Sequence, residues 1–171
     1  MSNKIFTAAN ALTFFRLLLV PVILWLLFDE RDLAAALVFV VAAATDFFDG
    51  RLARRSVPTR LGQLLDPAAD RLLLSGSAIV LATRGFLPVW AVAILVGRDV
   101  CAVAGGVFFK GKVRVNLVGK VATAVLMTSV AALIFGLSGV GVALFYLGIV
   151  LSLVSGGFYA AAALRRKEAR L

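Results

Sequence analysis

Histidine is absent from the chain. A Ser-His-Asp triad, a His-ligated metal and a phosphohistidine intermediate are therefore all excluded. Cysteine occurs once, as Cys101 within an apolar run, so no disulfide framework can form inside one chain. The alternation of apolar and polar residues that marks transmembrane β-barrel strands is missing as well. No small-residue cleavage site is followed by a polar mature domain, so residues 1–8 read as a short interfacial lead-in rather than a cleavable signal. Acidic residues are scarce, nine against 18 basic, giving a net charge of +9 and a pI of about 10.9. Such an excess can signal nucleic acid, but here Lys and Arg sit at the ends of apolar runs. That pattern fits membrane topology and phosphate binding, and no nucleic-acid partner is expected.

What the chain has in abundance is apolar residues. Of its 171 residues 62% are hydrophobic, with a mean hydropathy of +1.03. A soluble domain is about 45–50% apolar, and one small core cannot hide the surplus. The apolar runs are about 20 residues long, the length a membrane-crossing helix needs. The expected fold is an all-α polytopic membrane protein, a single domain over 1–171. It has six transmembrane helices and a short N-terminal interfacial segment.

The spans are expected at about Ala11–Phe28, Leu33–Arg54, Leu61–Thr83, Val89–Phe109, Leu117–Leu137 and Val140–Leu164. The last two are joined by a Ser138–Gly139 turn. Pro58 interrupts the basic link between the second and third spans, and Pro88 suits the first turn of the fourth. Six spans put both termini on one side. That side collects Lys4, Arg54, Arg55, Arg60, Lys110, Lys112, Arg114 and the basic tail. The other holds only Arg31 and Arg84 against Asp29, Glu30 and Asp32. The asymmetry predicts a multi-pass protein of a bacterial-type cell membrane, with its termini and active site cytoplasmic. Small residues, among them Gly76, Gly97, Gly105, Gly106, Gly119, Gly156 and Gly157, are expected to permit close helix packing in lipid.

Against this background, four of the nine acidic residues stand out. Asp46 and Asp49 are three apart, Asp66 and Asp70 four apart, so each pair shares a helical face. At about 1.5 Å per residue, Asp46 and Asp70 lie roughly 12–13 Å inward from the span ends, and Asp49 and Asp66 roughly 7 Å. If the second and third spans are antiparallel neighbours, as their short link suggests, four carboxylates meet at one level. Like charges in a poor solvent would be forced to protonate. Hard divalent cations such as Mg²⁺ or Mn²⁺ relieve that repulsion, and a metal pair is a common device for phosphoryl chemistry. Gly50 and Ala53 leave room for a ligand, and Arg54 and Arg60 can meet phosphate oxygens. The alternatives are pairing of these acids with Arg71 or Arg98, or an ion pathway through a small transporter. A purely structural membrane subunit would leave the four acids unexplained.

The stretch resembles the signature of the CDP-alcohol phosphotransferase family, D-x-x-D-G-x-x-A-R followed by G-x-x-x-D-x-x-x-D. Here Asp46, Asp49, Gly50, Ala53 and Arg54 fill the first half, and Gly62, Asp66 and Asp70 the second. The segment Asn10–Thr13 with Arg16 and Pro21 is similar to the N-x-L-T-x-x-R opening of bacterial phosphatidyltransferases, and Gly119–Lys120 to their Gly-Lys. The resemblance implies a six-helix fold and a CDP-linked lipid donor, most often CDP-diacylglycerol, whose phosphatidyl group passes to an acceptor alcohol while CMP leaves. It implies two metal ions, Mg²⁺ or Mn²⁺, on Asp46, Asp49, Asp66 and Asp70, with Asp70 also the catalytic base. It further implies contacts to the CDP-lipid from Asn10, Thr13, Gly50, Ala53, Arg54, Thr59 and Gly62, and a homodimer.

For the acceptor, Arg98, Lys112, Arg114 and Lys120 suggest a cationic pocket for a phosphate. An arginine inside a span needs a partner, and for Arg98 that partner is a phosphate, Asp99 or one of the four aspartates. Gly97–Val100 looks like the cardiolipin synthases of the family, which use phosphatidylglycerol. The short chain and N-terminal motif look like its glycerol phosphate transferases. Glycerol 3-phosphate is the expected acceptor, ahead of phosphatidylglycerol and then inositol phosphate.

Overall fold

A computed structural model describes the backbone of residues 8–52, 60–108 and 117–168, and the side chains of 13–45, 68–101 and 117–157. The described chain is helical, in the order α1 (Ala8–Phe28), α2 (Asp32–Leu52), α3 (Arg60–Thr83), α4 (Val89–Phe108), α5 (Leu117–Ile134) and α6 (Ser138–Glu168). The six expected runs thus each form one helix. Of the expected lead-in at residues 1–8, Ala8 already opens α1 and the rest lies outside the described residues. Helix ends differ from the expected ones by up to four residues, most at α1, α5 and α6. α5 stops three residues early because Gly136, at φ 79°, closes it with a left-handed cap in which Leu137 N–H donates to Ala132 C=O at 2.9 Å. The turn is therefore at 135–137, and Ser138 already belongs to α6. At its other end α6 continues through Arg165, Arg166 and Lys167. Arg and Lys are good helix formers and suit the negative end of the helix dipole, so the helix outlasts its apolar run.

Among the described residues two segments are long and apolar enough to cross a membrane, Leu117–Ile134 and Ser138–Gly157, and shorter apolar stretches cover Thr13–Phe28 and Asp32–Thr45. Large apolar side chains face outward from every helix, including Leu18, Leu33, Leu72, Val89, Leu117 and Val150. A water-soluble monomer rarely exposes apolar surface on this scale, and lipid-facing surface explains it. Inside, one core runs through Ile23, Leu27, Phe39, Leu73, Leu95 and Phe145.

Among the described contacts, α1 is the shared neighbour of α2 and α3, and α2 and α3 form no comparable pair. A link of eight residue steps, from Leu52 to Arg60, can reach up to roughly 26–29 Å, so its shortness does not force adjacency. α1 and α3 run parallel. Arg16 meets Asp70, Leu24 meets Gly76 and Leu27 meets Arg84, in the same order along both helices. At Gly76 a Cβ would lie 3.1 Å from Leu24 Cδ2, so the missing side chain is what admits Leu24. The three helices are tied at one end by Arg84, which donates to Leu27 C=O at 3.3 Å and to both carboxylate oxygens of Asp32, at 2.5 and 3.0 Å. Hydrogen bonding to Asp32 raises the Arg84 guanidinium pKa further above its ordinary value. The group's folded-state value lies above its unfolded one, so this stabilisation is complete at physiological pH and is lost only in strong alkali.

α5 and α6 form the closest pair, antiparallel and in a seven-residue register. Gly141 lies over Leu133, Gly148 over Leu126, and Ser155 over Gly119. A Cβ on Gly148 would come 2.6 Å from Leu126 Cγ, and one on Gly119 would come 2.9 Å from Ser155 Oγ. Ser129 Oγ donates to Gly141 C=O at 2.7 Å, which seals the end near the turn. Small residues at an interface let backbones approach in lipid. Gly76 and Gly119 fulfil that expectation. Gly97, Gly156 and Gly157 do not, since a Cβ there would meet nothing within 4 Å. Gly105 and Gly106 have no described side-chain surroundings. Gly148→Leu should lose about 1–3 kcal/mol of stability through overpacking, seen as a lower unfolding temperature in detergent. Gly157→Leu should change it little, and equal effects from the two would contradict the packing described.

Candidate active site

The acidic signature lies where α2 ends and α3 begins. Asp46, Asp49 and Gly50 are in the last turns of α2, and Gly62 and Asp66 in the first turns of α3. Both helices are continuous there. The side chains of these five residues lie outside the described set, as does that of Asn10 on α1. Ala53, Arg54, Thr59, Lys112 and Arg114 lie outside the described residues altogether. Among the described residues no group of three His, Cys, Asp or Glu converges as metal ligands. Of the four signature aspartates, only Asp70 has a described side chain.

Asp70 is held from α1. Arg16 is 1% exposed, and its guanidinium donates to Asp70 Oδ1 at 2.8 Å. Such charge-assisted bonds are short and strong, and an arginine this deep in apolar helices needs one. Thr13 is also buried, one turn before Arg16 on the same face of α1. The expectation that Arg71 or Arg98 might pair with the signature acids is thus corrected for Asp70, whose arginine comes from α1.

Arg71 and Arg98 turn instead toward Asp99, a buried acid on α4. Arg98 NH1 donates to Asp99 Oδ1 at 3.0 Å, Arg71 Nε stands 3.9 Å from the same oxygen, and Ser75 Oγ donates to Oδ2 at 2.8 Å. The second of these is an electrostatic contact rather than a hydrogen bond.

Asp70, Arg71, Leu74, Arg98, Asp99 and Thr123 line one open cavity of about 140 Å³ between α3, α4 and α5. It joins the expected base, Asp70, to the expected phosphate ligand, Arg98. Arg98 is therefore both paired with Asp99 and exposed to the cavity. Lys120 does not line it. It is solvent- or lipid-exposed on α5, three residues before Thr123 on the same helical face. Among the described residues, three guanidiniums, those of Arg16, Arg71 and Arg98, gather around two carboxylates, those of Asp70 and Asp99.

Sequence reasoning noted Arg16 only as part of an N-terminal motif, and Arg71 only as a possible ion-pair partner. The rule applied to Arg98, that an arginine within an apolar helix must have a partner, would have singled out both. Thr123 offered no signal, because a lone threonine in an apolar run is ordinary.

Charge at this density inside apolar helices marks a working site rather than a structural core. The sequence profile of CDP-alcohol phosphatidyltransferases matches residues 6–154, and the chain belongs to that family. It is similar to the CDP-diacylglycerol–glycerol-3-phosphate 3-phosphatidyltransferases of Shigella flexneri and Escherichia coli K12, each at 36% identity over 166 residues. The Salmonella typhimurium protein of the same name is 35% identical. Each alignment covers 88% of this chain and 91% of the relative.

Arg16→Ala should destabilise the protein by about 1–3 kcal/mol by stripping Asp70 of its charged partner. Arg16→Lys should recover part of that loss. Thermal unfolding in detergent checks both, and an unchanged Arg16→Ala transition would mean the ion pair does not hold α1 to α3.

Proposed function

We propose that the chain transfers the phosphatidyl group of CDP-diacylglycerol to glycerol 3-phosphate, giving phosphatidylglycerol phosphate and CMP. The observation that carries this reading is the cavity lined jointly by Asp70, Arg71 and Arg98. A phosphorylated alcohol needs a base for its hydroxyl and cations for its phosphate, and both are there. The relatives' names, which specify glycerol 3-phosphate, favour this acceptor over phosphatidylglycerol or inositol phosphate.

The acceptor hydroxyl attacks the phosphorus that carries diacylglycerol. Its O–P bond forms as the bond from that phosphorus to the CMP oxygen breaks, and the hydroxyl proton passes to Asp70. Arg16 fixes the direction of the Asp70 carboxylate through Oδ1. Arg98 and Arg71 hold the acceptor phosphate as guanidinium donors, and Lys120, Lys112 and Arg114 add positive charge around them. Asn10, Thr13, Gly50, Ala53, Arg54, Thr59 and Gly62 contact the CDP-lipid.

Two Mg²⁺ or Mn²⁺ ions would be held by Asp46, Asp49, Asp66 and Asp70. An all-carboxylate donor set fits hard divalent cations, and the helical spacing on α2 and α3 keeps the donors in pairs. Bound there, the ions supply neutralisation of the diphosphate charge. All six helices cross the membrane in this reading, with the termini and the site cytoplasmic, as the Lys and Arg distribution favours. The protein works as a homodimer.

Purified protein with CDP-diacylglycerol, Mg²⁺ or Mn²⁺ and one acceptor at a time should release CMP with glycerol 3-phosphate. Product with phosphatidylglycerol alone would assign the chain to cardiolipin synthesis instead. Asp70→Asn should lower the rate at least about 100-fold, and near-normal CMP release from that variant would remove Asp70 as the base.

A further inference from the structure

Asp99 lies outside the family signature, and the transfer reaction gives it no step, yet it is 5% exposed and the most buried acid among the described residues. An acid in that position is costly unless each oxygen has a partner. Its two oxygens are used differently. Oδ2 takes the Ser75 hydroxyl at 2.8 Å, which anchors the carboxylate to α3. Oδ1 faces two guanidiniums, Arg98 at 3.0 Å and Arg71 at 3.9 Å.

Two arginines side by side repel each other, and a single carboxylate cannot neutralise both. It can hold them together while leaving one positive charge in excess. A guanidinium carries five N–H donors. The bond to Asp99 uses one of those on Arg98, so the pair keeps donors for a second anion. The same two side chains line the cavity that Asp70 enters.

We infer that Asp99 is a positioning residue for the acceptor: anchored by Ser75, it holds Arg71 and Arg98 side by side on the cavity wall so that both guanidiniums meet one phosphate. The inference rests on the transferase reading above, but it concerns acceptor affinity rather than the chemical step. Asp99 acts through the arginines, and the CDP-lipid has no part in the arrangement.

The test is steady-state kinetics on Asp99→Asn, Asp99→Glu and Ser75→Ala in detergent, with thermal unfolding to establish that each is folded. Asp99→Asn keeps the size and the Ser75 contact but removes the charge. It should raise the KM for glycerol 3-phosphate about tenfold, the worth of one charge-assisted hydrogen bond. Its kcat should fall far less, and the KM for CDP-diacylglycerol should hold. Asp99→Glu should recover part of the acceptor KM, and Ser75→Ala should raise it by a smaller factor.

A second readout does not depend on turnover. Inorganic phosphate should raise the unfolding temperature of the unaltered protein and do so less for Asp99→Asn. An unchanged acceptor KM in a folded Asp99→Asn, or equal loss across kcat and both KM values, would overturn the inference. If Asp99→Asn does not fold, Ser75→Ala decides, and an unaltered acceptor KM there overturns it as well. Failure of the unaltered protein to turn over glycerol 3-phosphate would instead sink the transferase reading. The phosphate shift would then still decide the role of Asp99, which fails if Asp99→Asn responds as the unaltered protein does.

Discussion

A charge inside an apolar helix must be met by an opposite charge, and that requirement organises this molecule. Asp70 on α3 is met by Arg16 from α1, and Asp99 on α4 by Arg98 beside it and Arg71 across from it. At the far end of the same helices Asp32 is met by Arg84. The first pair sets α1 against α3, the second joins α3 to α4, and the third ties α1, α2 and α3 together. Apolar packing fills the space between these points, but it is indifferent to which helix lies beside which. The polar contacts are specific, and two of the three also border the cavity proposed to bind the acceptor.

The division of labour in the bundle follows. α5 and α6 carry no charge pair among their described residues and pack through Gly119, Gly141 and Gly148 instead, where backbones approach closely. That half is a scaffold, and α5 reaches from it to α2 and α3 and contributes Thr123 to the cavity wall. The described ion pairs lie in the other half, α1 to α4, which is the half proposed to carry the chemistry. A rigid glycine-packed pair supporting a polar cavity is a reasonable way to keep catalytic groups fixed in lipid, where water cannot compensate for a misplaced donor.

Much of this was legible from residue order alone. Six apolar runs became six helices, because a helix satisfies its backbone groups within the run itself, and the family was readable from Asp46 through Asp70. Neighbour relations were not. Spacing along one helix fixes a face but says nothing of which helix lies opposite, so α1 between α2 and α3 went unforeseen. The seven-residue run of Gly141, Gly148 and Ser155 was present in the sequence but only acquires meaning opposite Leu133, Leu126 and Gly119. At the site, Arg98, Arg16 and Arg71 all lie within apolar helices, and Arg71, directly after Asp70, reads as a mere neighbour of the acidic signature.

The α3–α4–α5 cavity is proposed to select its acceptor by phosphate. The most direct measurement is the ratio of kcat/KM for glycerol 3-phosphate to that for glycerol, in the unaltered protein and in Arg98→Ala. The account predicts a strong preference for the phosphorylated acceptor that falls at least about tenfold in Arg98→Ala, as expected for loss of one charged donor, with the KM for CDP-diacylglycerol unmoved. A ratio that stays the same in Arg98→Ala would contradict it.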